Sequence, residues 1–174
     1  LKELTGLPYE EQQGQTTEED IARRLRQTGQ TVACAESCTG GNIAHLITSV
    51  PGASAYFLGG IVAYSNEVKK NVLGVRAEDL EKYGAVSEAV AVQMAQGARR
   101  VTGAQWAVST TGVAGPDGGT PEKPVGTVWI GVAGPHGAKA QKFVFSHTRE
   151  RNIGRASVKA LQLLLAEMER NTAK

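Results

Sequence analysis

Cysteine is scarce in this chain: Cys34 and Cys38 are the only two among 174 residues. That is too few for a disulfide framework, and no second pair or histidine-rich stretch completes a structural zinc site, so no metal is expected. No secretory signal opens the sequence either, and a reducing cytoplasm is the expected compartment. Aromatic residues are only 5% of the chain and the net charge is only +2. Basic residues are scattered apart from a late cluster at Arg149, Arg151 and Arg155. Neither a stacking platform nor a basic stripe is present, which argues against nucleic acid as a direct partner. No apolar run reaches membrane-spanning length, so no membrane partner is expected, and internal repeats and low-complexity tracts are missing. What is there is an ordinary globular composition, 41% hydrophobic and 21% charged, at a length that suits one domain with a sizeable core. Small acidic molecules remain as partners.

Thr16-Thr17-Glu18-Glu19 has the form of a capping box, and Ile21, Ala22 and Leu25 give the following helix an apolar stripe that Gly29 ends. A strand is predicted over 31–35 and a helix over 42–50, with His45 read as a surface residue of that helix. Residues 56–64, aromatic and β-branched around Gly59-Gly60, read as a strand with a bulge or a close backbone approach. Ser65-Asn66-Glu67 then opens a short helix over 68–73. A charged helix or turn at 76–83 precedes a helix capped by Ser87 and running to Arg100, with Ala91, Met94, Ala95, Ala98 and Val101 on one face. Residues 106–110 form a buried-type strand that enters a long glycine-rich loop, 111–120. Strands over 126–133 and 138–145 are joined by the turn Gly134-Pro135-His136-Gly137, which places His136 at an exposed tip. The last helix runs from Arg149 toward Arg170 on Val158, Leu161, Leu164, Leu165 and Met168. Alternating strands and helices closed by a hairpin predict an α/β fold, three-layer α/β/α on a mixed sheet. Residues 1–15 lack an apolar period and are assigned to a linker, leaving 16–170 as the domain.

The chemistry gathers in the turn after the first strand, Ala35-Glu36-Ser37-Cys38-Thr39-Gly40-Gly41-Asn42. A strand feeding a helix leaves backbone N–H groups free to hold an anion or an oxyanion, and adjacent glycines let a ligand approach. Ser37 is a candidate nucleophile there, Thr39 a second hydroxyl, and Glu36 a group that orients neighbours or accepts a proton. A plain helix cap would use the same residue types. Lys69 lies one turn into a helix that also follows a strand end, and the glycine-rich loop after 110 makes a third. Loops after strand carboxyl ends of an open α/β sheet meet at one edge, so these three are expected to converge.

Several motifs in this order resemble one family. They are Ala35 to Gly41, Ala63-Tyr64-Ser65-Asn66-Glu67-Val68-Lys69, Gly84-Ala85-Val86-Ser87-Glu88, Thr111 to Gly119 and Lys123-Pro124-Val125-Gly126-Thr127-Val128. Together they resemble the CinA C-terminal domain family of nicotinamide mononucleotide deamidases, over about residues 17–165. The resemblance implies the same α/β/α architecture and hydrolysis of the substrate's carboxamide to nicotinic acid mononucleotide and ammonia, without metal or cofactor. It assigns Ser37 as nucleophile, Lys69 as base and Tyr64 as a residue that orients the lysine or relays its proton. Glu36, Cys38, Thr39, Gly40, Gly41, Thr111, Gly112 and Arg149 are the expected substrate-binding positions, with the amides near 38–40 holding the oxyanion and Arg149 the phosphate. In the family this domain occurs alone or behind a larger one. The leucine at position 1 suggests an excised segment, and a homodimer is compatible with the resemblance.

Three points stay open at this stage. Cys38 is a rival nucleophile, since a thiolate at a helix N-terminus is activated, and spacing neither supports nor excludes a triad of Ser37, His147 and Asp117. The family's acidic residue before the arginine is replaced here in His147-Thr148-Arg149, and its further arginine by Ile153 and Gly154, with Arg151 and Arg155 nearby. The rival functions are a nucleotide-binding module without catalysis and an interaction domain linked to competence or recombination.

Overall fold

The computed structural model describes residues 16–172; the linker assigned to residues 1–15 lies outside them. Helix α1 (Thr17–Thr28) begins as its capping sequence dictates, with Thr16 extended and its hydroxyl accepting from Glu19 N at 3.3 Å. After it come β1 (Val32–Glu36), α2 (Asn42–Thr48), a 3₁₀ turn (Ala53–Ala55), β2 (Phe57–Val62) and α3 (Asn66–Asn71). Then follow α4 (Ala77–Tyr83), α5 (Glu88–Thr102), β3 (Trp106–Gly112), β4 (Thr127–Gly134), β5 (Gly137–Val144) and α6 (Arg149–Thr172).

The five strands form one sheet in the order β2-β1-β3-β4-β5. β2, β1 and β3 run parallel, while β4 and β5 are antiparallel additions joined through the two-residue turn Pro135-His136. Parallel neighbours cannot be joined by tight turns, so the chain crosses over through helices that cover the faces. Every residue of β1 is buried, as a central parallel strand requires. Alternation along β1 sends Val32 and Cys34 to one face, where Trp106, Val108 and Ile130 meet α1, α2 and α6. Ala33, Ala35 and Ala107 point to the other, under Val90, Met94 and Ala98 of α5. The fold is the mixed-sheet α/β class that the sequence predicts, and the carboxyl ends of β1, β2 and β3 open at one edge.

The α5 face is paved with small residues, which lets the helix lie close to the sheet. Ser109 Oγ donates to Ala91 O at 2.6 Å. Gly97 on the same helix passes so near the Leu73 backbone that an added methyl would overlap the Leu73 carbonyl oxygen. Gly97→Ala is therefore expected to destabilise the protein by about 1–3 kcal/mol through overpacking. Urea denaturation checks this: an unchanged midpoint would show that α5 moves away at no cost.

Two expected core positions are exposed. Val101 is 51% and Val158 43% exposed. Val101 sits in the last turn of α5, past the buried Val90, Ala91, Met94, Ala95 and Ala98. On α6 the small residues Ala156, Ser157 and Ala160 lie beneath the helix with Leu161 and Leu164, so the buried face is turned away from Val158. Apolar periodicity alone does not distinguish these flanking positions.

Candidate active site

β1 ends at Glu36, and the chain turns at once. Ser37 N donates to Thr110 O at 3.0 Å, which ties the turn to β3, and Gly40 N donates back to Ser37 O at 3.1 Å. Gly40 and Gly41 have φ of 60° and 102°, a left-handed path that side chains resist. This tight turn leaves Ser37 at the sheet edge facing α3. There Ser65 caps the helix, its hydroxyl accepting from Val68 N at 3.2 Å, and the first turn carries Lys69 inward.

Lys69 is 1% exposed. Its Nζ lies 2.9 Å from Ser37 Oγ and donates to Ala63 O at 2.8 Å and Tyr64 O at 3.4 Å. Burial draws its pKa below the ordinary lysine value, opposed by the neighbouring Cys38 sulfur. A neutral amine has two N–H groups and one lone pair. In that neutral form, with the carbonyls taking the N–H groups, the lone pair would be left for the hydroxyl proton of Ser37.

The pair opens into a cavity of about 300 Å³. Ser37, Cys38, Tyr64 and Lys69 line it from the first two loops. Thr111 and Gly112 line it from the end of β3, and Arg149 from the start of α6. The three loops therefore converge. A larger groove of about 580 Å³ shares Val86 with the cavity. It holds no matching pair, for its serine, Ser87, caps α5 and donates to Gly84 O at 2.9 Å.

Other expected site residues are placed differently. Glu36, Thr39, Gly40 and Gly41 are not part of the cavity wall. The Glu36 carboxylate is buried and accepts from Ile43 N at 2.8 Å, Ala44 N at 3.0 Å and the Thr39 hydroxyl at 2.6 Å. It holds down the start of α2 and has no room for substrate. Thr39 also meets the Thr110 hydroxyl at 2.7 Å, so its oxygen is committed to the same network. Gly40 N, one of the expected oxyanion donors, is already bonded to Ser37 O, whereas the Cys38 and Thr39 amides have no backbone carbonyl as partner among the described residues. Thr111 faces Ala85, donating to its carbonyl at 2.8 Å.

Tyr64 accepts a hydrogen bond from Lys69 through its carbonyl. Its hydroxyl accepts from Arg149 Nη2 at 3.1 Å, so the side chain is joined to the arginine and not to the lysine. Arg149 Nη1 donates to Gly115 O at 2.8 Å. A backbone carbonyl and a phenol thus hold the guanidinium. Thr148 does not contribute: its hydroxyl accepts from Arg151 N at 3.4 Å, as a helix cap.

The Ser37, His147 and Asp117 triad is not assembled. Asp117 lines the cavity but His147 does not, and the partner of Ser37 Oγ is Lys69. Cys38 is no better placed as nucleophile, since burial pushes its thiol up to about 12. Sequence reasoning missed Asn66 on the cavity wall, which looked like part of a helix start, and the buried Asn152 behind the glycine-rich loop. No signal distinguishes Asn152 from an ordinary polar residue on an amphipathic helix.

The CinA C-terminal domain family model matches residues 14–168. The chain belongs to that family. A CinA-like protein of Anaeromyxobacter sp. (strain K) is 54% identical over 144 residues, 83% of this chain and 35% of that protein. One from Gloeothece citriformis is 52% identical over 134 residues, 77% of this chain and 32% of the relative. The chain thus spans about a third of the length of the curated relatives it matches. Among solved structures, the competence damage-inducible protein A of Klebsiella pneumoniae superposes with a TM-score of 0.85 at 35% identity, covering 89% of this chain and 98% of that one. The competence/damage inducible protein CihA of Agrobacterium tumefaciens gives 0.82 at 39%, covering 86% and 94%. Among the described residues no helix is long and apolar enough to cross a membrane.

Proposed function

We propose that this CinA-family domain is an amidohydrolase that deamidates nicotinamide mononucleotide, yielding nicotinic acid mononucleotide and ammonia in pyridine nucleotide recycling. The observation that carries the reading is the buried Lys69 Nζ, 2.9 Å from Ser37 Oγ and lining one cavity with it. Binding alone needs no such pair, which weighs against a purely nucleotide-binding or interaction domain.

Neutral Lys69 accepts the hydroxyl proton as Ser37 Oγ attacks the carboxamide carbon. The oxygen of the tetrahedral intermediate takes up negative charge beside the turn, where the amide of Cys38, which lines the cavity, is the donor at hand; a preorganised donor of this kind contributes about 3–4 kcal/mol. Lys69 returns the proton to the leaving nitrogen, ammonia departs, and an ester remains on Ser37. Water, deprotonated by the same lysine, then attacks the ester and releases the acid. Arg149 at the cavity edge pairs with the phosphate.

Arg149→Ala is expected to raise KM roughly 10–100-fold with a smaller change in kcat, because the lost charge-assisted contact holds ground state and transition state alike. Thr148→Asp retains the cap and places a carboxylate next to Arg149, so it leaves activity equal or improved. Steady-state kinetics check both, and an unchanged KM in Arg149→Ala would move the phosphate grip to Arg151 or Arg155. The reading as a whole is tested by incubating the protein with a panel of pyridine amides, with and without the nucleotide phosphate, and identifying the products. Ammonia from the mononucleotide supports it; no ammonia from any of them returns the non-catalytic reading.

A further inference from the structure

Asn152 sits in the first turn of α6 and is 1% exposed, with its side-chain amide fully engaged. Nδ2 donates to Ala114 O and to His147 O, each at 3.0 Å, and Oδ1 accepts from His147 N at 3.1 Å. These bonds join three pieces of chain: the glycine-rich loop after β3, the turn that enters α6, and the helix itself. The residue after Ala114 is Gly115, whose carbonyl holds Arg149 Nη1 at 2.8 Å. Arg149 leaves the same helix turn, three residues before Asn152. Asn152 therefore sets both the base of the arginine and the carbonyl that fixes its fork.

We infer that Asn152 is the positioning residue for the phosphate grip, doing through the glycine-rich loop what a carboxylate beside Arg149 would do directly. The inference rests on the reading of Arg149 as the phosphate ligand. An exposed arginine without such a frame samples many rotamers and loses entropy when it pairs. Here two bonds fix it before substrate arrives, and a buried amide fixes one of their acceptors. A carboxamide suits this position because it is the uncharged side-chain group that offers two donors and an acceptor from a single plane. The substitution Asn152→Asp would keep an acceptor for His147 N but turn an oxygen toward the two carbonyls now bonded by Nδ2, pushing the loop away.

The test compares the wild-type chain with Asn152→Asp. Dissociation constants are measured by calorimetry for nicotinamide mononucleotide and for the riboside that lacks the phosphate, and KM and kcat are measured on the mononucleotide. Asn152→Asp is expected to weaken the mononucleotide roughly 10-fold, the scale of one charge-assisted bond, to leave the riboside within about 2-fold and to raise KM more than it lowers kcat. Placed on Arg149→Ala, the same substitution adds nothing, because both act on one grip. Equal weakening of both ligands, or an additive loss in the double variant, overturns the inference by making Asn152 a general structural residue. If Asn152→Asp does not fold, as read by its thermal melt, Asn152→Ala takes its place in the same comparison with the same two outcomes. A wild-type chain that prefers the phosphorylated ligand but releases no ammonia would end the amidohydrolase reading and leave this one standing. A wild-type chain that hydrolyses mononucleotide and riboside equally well would do the reverse.

Discussion

Lys69→Ala is expected to lower kcat/KM for deamidation by roughly 10³-fold or more while leaving the fold intact. A general base in this role contributes about 10²–10⁴-fold, and Lys69 acts in both halves of the reaction, taking a proton and returning it in the first and deprotonating water in the second. The lysine must be neutral to begin, so the rate carries an acid limb. kcat/KM rises with pH as Lys69 loses its proton, with a midpoint below the ordinary lysine value because burial lowers its pKa. The same shift affects stability. The folded chain holds this proton less tightly than the unfolded chain, so between the lowered folded value and the ordinary one the unfolded state binds more protons and stability rises with pH. Lys69→Ala should remove that part of the slope. A pH–rate profile and denaturation at several pH values check both effects; a profile without an acid limb would mean the lysine is not the base.

The fold was legible because it rests on local rules. Caps at Thr16, Ser65 and Ser87 and glycine stops fix helix ends from neighbours in sequence, and the Gly-Pro-His-Gly turn marks the hairpin. Ser37 and Lys69 stood out because each lies just past a predicted strand, where an α/β sheet gathers its loops. What the sequence does not show is where a side chain turns once the loops meet. Glu36 looks like a site residue because it adjoins Ser37, yet alternation along β1 turns it inward to α2. Tyr64 adjoins the lysine's helix, and its ring turns outward to a partner 85 residues away. Asn152 depends on the glycine-rich loop packing against α6, a long-range contact that no window of sequence contains.

Ser37→Ala should have the largest effect of all, a loss of about 10⁴-fold or more in kcat, and combining it with Lys69→Ala should add little because the two act as a unit. Cys38→Ala should stay within a few-fold of the parent, since a thiol held near 12 is protonated at working pH. The contrast between these variants bears directly on the central claim, that a serine activated by a buried lysine carries amide hydrolysis. The decisive measurement is the rate of ammonia release from nicotinamide mononucleotide by the wild-type chain, Ser37→Ala and Cys38→Ala, at equal concentrations of folded protein. The account predicts release by the wild-type chain and Cys38→Ala and almost none by Ser37→Ala; release by Ser37→Ala at the wild-type rate would contradict it.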